Sequence, residues 1–325
     1  MIIAVAALAL LIAPAEPRQV AQAVPDSQAD QAVRLADIEV TGRPVGEMID
    51  TFVERVGAPA AHRGLARWRH GVCVGVLNMR GESARYLVDR ISDVARGLGL
   101  NAGEPGCDPT ILIVATVNAS EYTQQMTAAR PWVFRAGGSG MDRGGGAFRD
   151  FQTTDRPVRW WAVSYPADSD TGQRAARLPG EVNGPGVSDK AGGLGPADYA
   201  PVLNANSASR LRTELVDDLS RVYVVVDVDE MGGASIAQLA DYVAMISLAQ
   251  VNPEADTGGY ATILNLFNDP EGSPGLTDWD TAYLRGLYSA QRNLSDHGSY
   301  LDEIASEIGR AHAVLRAARQ DDEGP

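Results

Sequence analysis

Gln238, Asp241 and Tyr242 are polar residues set in an otherwise apolar stretch, SIAQLADYVAMISLAQV (235–251). Helical spacing brings positions 238 and 242 to one side, a turn apart, with 241 beside them. A pair of ligands at i and i+4, or a carboxylate in a half-buried cleft, is chemistry that such a helix can carry. Each residue also has a local use. Ser235 and Gln238 make an S-x-x-Q capping box, in which the Gln238 side chain reaches back to the Ser235 amide. Asp241 lies close to a buried face and needs a partner, for which an arginine is expected. Tyr242 fits either the core, with its hydroxyl satisfied, or the rim of a pocket.

Upstream, Asp227, Asp229 and Glu230 cluster at the end of RVYVVVDV (221–228). Calcium takes several such oxygens, but the D-x-D-x-D-G loop is missing, and acids at a strand end more often cap or face water. The loop NDPEGSPG (268–275) offers oxygens of the same kind. Asp227 and Asp241 would suit a carboxylate-dependent hydrolase if they stood roughly 5–9 Å apart. GGSGMDRGGG lacks the Lys-Ser/Thr ending of a phosphate loop and is expected to be a flexible loop. Its Ser139 fails G-x-S-x-G because Met141 takes the last position. Trp160 and Trp161 alternate across a strand, so one should face the core and one solvent or a cleft. Trp161 is taken as the binding candidate. Trp68, between Arg67 and Arg69, suits an anion or plain surface ion pairs.

The elements that hold these residues follow from periodicity. RVYVVVDV reads as a buried strand, a Gly-Gly turn follows, and the apolar helix starts at Ile236. Earlier, MIDTFVERV (48–56) is a helix stopped at Gly57. Alternation at Val72, Val74 and Val76 marks a strand containing Cys73, and residues 82–98 form a helix with Leu87, Ile91, Val94, Ala95 and Leu98 along one side. CDPTILIVATV (107–117) is a β-branched run of the kind buried on both faces. Strand, helix and strand in that order favour parallel neighbours. SEYTQQMTAARP suggests a short helix and PVRWWAVSY (157–165) a strand. Residues 166–207 form an irregular insert, and RLRTELV (210–216), a DDLS turn and RVYVVVDV are expected to make a hairpin. Two helices, 277–291 and 299–318, precede an acidic tail (319–325).

The whole chain limits the class. It has 325 residues, 45% hydrophobic and 22% charged, so it is globular in composition. A net charge of −14 argues against nucleic acid and anionic membrane surfaces as partners. MIIAVAALALLIAPA is too short to span a bilayer and fits a signal-peptide core, with residues 1–23 removed and 24–37 as a linker. A short extended piece, IEVTGRP (38–44), would open a single domain running to 318. Export predicts a Cys73–Cys107 disulfide, since the two cysteines are too far apart for a C-x-x-C motif.

The order of strand, helix, strand, edge strand, strand, buried helix and closing helix resembles the zincin metallopeptidases. The segment LNLFNDPEGSPGLTDWDTAYLRGLYSA (264–290) resembles the end of the matrix-metalloprotease-like members: Leu276, Thr277, Asp280, Leu284, Leu287 and Tyr288 fall on their closing-helix pattern. The chain is also similar to secreted proteins of alphaproteobacteria. The resemblance implies an α/β (α+β) fold with a mixed sheet, a buried helix and C-terminal helices. It also implies H-E-x-x-H on the buried helix, where two histidines share zinc and the glutamate deprotonates its water. Here Gln238 and Tyr242 stand at the histidine positions, Leu239 at the glutamate and Leu248 at the third ligand. His62, His70, His297 and His312 all lie outside that helix. The expectation is therefore a non-catalytic periplasmic or secreted binding protein, a degenerate zincin with neither metal nor cofactor. Its partner would be an envelope protein, a peptide or a polysaccharide, held along the sheet edge by strand addition. Gln238, Asp241, Tyr242, Asp227 and Trp161 would line the site. The alternatives are the Asp227/Asp241 hydrolase and a structural envelope protein.

Overall fold

The sheet is built outward from one long strand, β6 (Leu215–Asp227), as seen in a computed structural model that describes residues 44–60, 63–135, 142–175 and 212–322. On one side β6 pairs in parallel with β4 (Ile111–Thr116), and β4 pairs in parallel with β2 (Val74–Leu77). On the other side it pairs antiparallel with β5 (Val158–Asp168), giving the order β2-β4-β6-β5. A second, two-stranded parallel piece joins β1 (Gly71–Val72) to β3 (Asn101–Ala102). The fold is therefore α/β with a mixed sheet, as expected.

Side-chain alternation divides the sheet into two faces. Ile111, Ile113, Val222, Val224 and Val226 join the main core, together with α2 (Gly81–Gly97), α6 (Ile236–Leu248), α1 (Val45–Val56), α7 (Asp278–Ser289) and α8 (His297–Asp322). In α2, Leu87, Ile91 and Ala95 recur at i and i+4 and are fully covered. Complete burial of Leu87 or Ile91 is worth about 1.5–3 kcal/mol. The opposite face carries Trp161, Val163 and Tyr223, which pack on Phe134 and Phe151. Those phenylalanines come from α4 (Pro131–Phe134) and α5 (Gly144–Thr153), beyond α3 (Ala119–Ala129).

Three expectations are corrected. Residues 210–228 do not form a hairpin; DDLS lies inside β6. Asp217 and Asp218 tolerate a strand because arginines meet them: Arg63 pairs with Asp217, while Arg69 (2.6 Å) and Arg292 (2.5 Å) both pair with Asp218. The glycine-rich stretch is not all loop, since Gly144–Thr153 is helical. Phe148 and Phe151, packed on Trp161, outweigh the poor helix propensity of three glycines. The tryptophan pair does not split between core and surface, since Trp160 is 6% and Trp161 2% exposed. Both faces of β5 are covered by other elements.

The irregular insert begins later than expected, because β5 runs on to Asp168 and Ala167 then bridges to Arg174. The rest of that insert, the signal and linker segments, most of IEVTGRP, His62 and Ser139 lie outside the described residues. α8 continues into the acidic tail as far as Asp322.

Cys73 and Cys107 are joined, with their Cα atoms 6.1 Å apart. The bridge ties the β1–β2 junction to the approach to β4 and so encloses α2. Gly103 lies against it so closely that a Cβ would come within 2.5 Å of Cys107 Sγ. No helix among the described residues is long and apolar enough to cross a membrane.

Candidate functional site

Helix α6 starts with the capping box expected from its sequence. Ser235 Oγ accepts from the Gln238 amide at 3.2 Å, and Gln238 Oε1 accepts from the Ser235 amide at 2.9 Å. The other end of the Gln238 amide group is also used: Nε2 donates to the carbonyls of Pro270 (2.7 Å) and Ser273 (2.9 Å). Asp241 has its arginine, which is Arg90 on α2, whose Nε donates to Oδ1 at 2.5 Å. Oδ2 accepts from the Leu276 amide at 2.9 Å. Burial works against the Arg90 charge, yet the hydrogen bond to Asp241 holds its pKa above the usual arginine value. A Cβ at Gly275 would come within 2.6 Å of Asp241 Oδ2, so only glycine lets the loop approach this carboxylate. Gln238 and Asp241 thus act together, fastening the 270–276 loop, which leads into α7, across the first turns of α6.

Tyr242 is 6% exposed and packs edge-on against Phe267 (5.0 Å between centroids) and Trp160 (6.1 Å). Burial pushes its hydroxyl pKa upward, so it stays protonated. Leu239 and Leu248 belong to the main core. The four positions where the resemblance would put a metal site are therefore occupied by loop hydrogen bonds, ring contacts and core packing.

Asp227 stands apart from this group. Its Oδ2 accepts from the Ala119 amide at the start of α3 (2.9 Å), and its Oδ1 from the Asp229 amide (3.2 Å). Asp227 and Asp241 share no partner, and each serves nearby backbone. Asp229 and Glu230 are exposed. The Glu230 pKa is raised by partial desolvation and by hydrogen bonding and repulsion from Asp155, with Asp227 adding to the effect. Trp161 lies on the sheet face away from α6, with its indole N–H donating to the Phe134 carbonyl at 2.7 Å. The five candidates thus separate: Gln238, Asp241 and Tyr242 stay together on α6, Asp227 caps α3, and Trp161 belongs to the second core.

No protein family, curated protein or solved structure matches this chain. Among the described residues no group of three or more His, Cys, Asp or Glu is arranged to hold a metal ion. His70 and His297 are exposed, while His312 stands edge-on to Trp279 at 5.7 Å. Burial, together with Arg316, lowers the His312 pKa.

Two further features leave no mark in the sequence. One is the arginine set around Asp217 and Asp218, hidden because DDLS has the composition of a turn. Its fourth member, Arg67, donates to the Leu287 carbonyl and lies 5.8 Å from the Tyr288 ring centre; burial and Arg292 lower its pKa to about 10. The other is a set of exposed aliphatic side chains at the strand ends. Val228 is visible in the sequence only as the last residue of an apolar run.

Proposed function

We propose that this chain is an exported protein that acts by binding, on a zincin-like scaffold whose catalytic positions have been given over to structure. One observation carries the proposal: Gln238 and Tyr242, where the resemblance calls for metal ligands, are engaged with the 266–276 segment and with Ser235 and Trp160. Gln238 commits its amide group to Ser235, Pro270 and Ser273, and Tyr242 packs its ring on Phe267 and Trp160. Leu239 has no proton to give or take at the position of the general base. The element order β2, α2, β4, β5, β6, α6 and α7, with β5 antiparallel at the edge, supports the scaffold half of the proposal.

The disulfide supports export to the periplasm or beyond, because such bridges persist in oxidising compartments. The carboxylate hydrolase gains no support, since Asp227 and Asp241 each serve separate backbone amides. Elemental analysis of the purified protein, run beside a peptidase assay, tests the proposal. Substoichiometric zinc and no cleavage are expected. Stoichiometric zinc that is lost in Gln238→Ala would overturn it.

A further inference from the structure

Among the described residues, seven large hydrophobic side chains are exposed; Tyr86, Trp132 and Val314 stand on separate helices, while Leu77, Val117, Val228 and Ile236 stand at or after the ends of strands. Leu77 is where β2 ends, Val117 follows the last residue of β4, Val228 follows the last residue of β6, and Ile236 opens α6. Because β2, β4 and β6 are parallel, Leu77, Val117 and Val228 belong to the carboxyl end of the sheet, and Ile236 starts the helix that follows β6. Thr116 pairs with Asp227, and the Val228 amide donates to the Thr116 carbonyl, so Val117 and Val228 sit side by side. Both stand one residue past their strands, in the bends that follow them. They are 68% and 44% exposed, and Ile236 is 38% exposed. Single exposed aliphatics are ordinary on a protein surface, whereas a contiguous group marks a contact site. In open α/β sheets, ligands sit outside the carboxyl ends of the strands.

Around this group the surface is acidic. Asp229 and Glu230 follow Val228 directly, and Asp155 lies against Glu230. All three are exposed, and the Glu230 pKa is raised first by partial desolvation and then by hydrogen bonding and repulsion from Asp155 and repulsion from Asp227. Arg156 is already paired with Glu254, and Arg159 is buried with its guanidinium donating to the Gln152 carbonyl at 3.0 Å, its charge offsetting only part of the repulsion at Glu230. A second copy of the chain would bring the same carboxylates against themselves, on a molecule of net charge −14. A cationic partner would neutralise them.

We infer that the carboxyl end of the sheet, centred on the neighbouring Val117 and Val228 with Asp229 and Glu230 at its rim, docks a basic protein segment whose apolar side chains cover the valines. This rests on the binding function proposed above and gives it a place and a partner chemistry.

The test uses the purified protein and three short synthetic peptides: alternating Leu and Arg, alternating Ser and Arg, and alternating Leu and Glu. Binding is followed by fluorescence anisotropy at low and moderate salt. The Leu–Arg peptide should bind at least about tenfold more tightly than either control, since charge and apolar contact are both needed. The uncharged pair Val117→Ser with Val228→Ser, which removes apolar contact and leaves the charge unchanged, should weaken it several-fold with circular dichroism unchanged. Asp229→Asn with Glu230→Gln should flatten the salt dependence. Equal binding of the Ser–Arg peptide would overturn the inference, because charge alone would then suffice. So would variants that bind like the parent, or self-association that Val117→Ser with Val228→Ser abolishes. Failure here is separable from failure of the binding proposal. Cleavage of the peptide would refute the non-catalytic function and leave the surface standing; an intact, unbound peptide would do the reverse.

Discussion

Asp280 gives the sharpest test of how this fold is held. It is 0% exposed, in the first turn of α7, with no cation among its hydrogen-bond partners. Oδ1 accepts from the Thr262 hydroxyl, and Oδ2 from the amides of Ile263 (2.8 Å) and Thr277 (3.0 Å). These bonds favour the carboxylate, but burial opposes it more strongly and raises the pKa from 3.8 to about 6. The folded state thus holds this proton more tightly than the unfolded chain does. The resulting stability is complete below about pH 4 and is lost as pH rises through about 6. A shift of roughly two units corresponds to about 3 kcal/mol.

Asp280→Asn removes the charge and keeps the shape. Its Oδ1 can still accept from both amides if Nδ2 faces Thr262, whose hydroxyl can turn to accept. The expected cost is about 1 kcal/mol at pH 4. Near pH 7 the sign reverses, because only the parent then buries a charge, and the variant becomes the more stable by about 2 kcal/mol. Asp280→Ala leaves the Ile263 and Thr277 amides without acceptors and should be less stable than the parent at both pH values, by about 2–5 kcal/mol. Urea unfolding followed by tryptophan fluorescence at several pH values reads all three. Taking differences between variant and parent cancels the other carboxylates. A constant difference between parent and Asn variant across this pH range would refute the reasoning, since burial would then not govern the titration.

Replacing Cys73 and Cys107 together by serine should lower unfolding stability by about 3–4 kcal/mol, the chain-entropy value for a loop of this length; a change near zero in urea would mean the bridge constrains nothing in the unfolded chain. Gly286→Ala runs against propensity. Alanine favours a helix by about 1 kcal/mol, but a Cβ here would lie 2.5 Å from the Ile308 amide nitrogen, so a net loss and a lower Tm are expected. A gain would mean that α7 and α8 are not this close. Asp241→Ala should leave the Leu276 amide unpaired and cost about 1–3 kcal/mol. Hydrogen exchange should rise at Leu276 and the 270–276 loop; unchanged exchange would show that the loop is held by something else.

Much of the fold was legible because its signals are local. The β-branched run of β4, the i, i+4 stripe of α2 and the capping box at Ser235 depend on neighbours a few residues away, and each appears where the local sequence put it. Failures came where distant partners decide. Asp217 and Asp218 look like a turn until Arg63, Arg69 and Arg292 arrive from both ends of the chain. Gly144–Gly146 look like a loop until Phe148 and Phe151 find Trp161. In the candidate site, the Gln238 cap and an arginine for Asp241 could be anticipated from residue type alone. That Pro270, Ser273 and Gly275 would close over both could not, because a loop conformation leaves no periodic trace. Nor could the burial of Trp161, since alternation fixes which face a side chain takes and not what covers it.

The two parallel neighbours of the sheet's interior come from opposite halves of the chain: Ile111 of β4 lies against Val222 of β6. Until the second of these strands has been synthesised, the first has a partner only in the short β2, and one of its hydrogen-bonding edges stays open. The β4–β6 pairing is therefore a late, non-local step of the kind that slows folding and prolongs exposure to aggregation. A fragment ending before residue 215 would carry about half of the buried hydrophobic side chains of the domain and lack the strand that closes over β4.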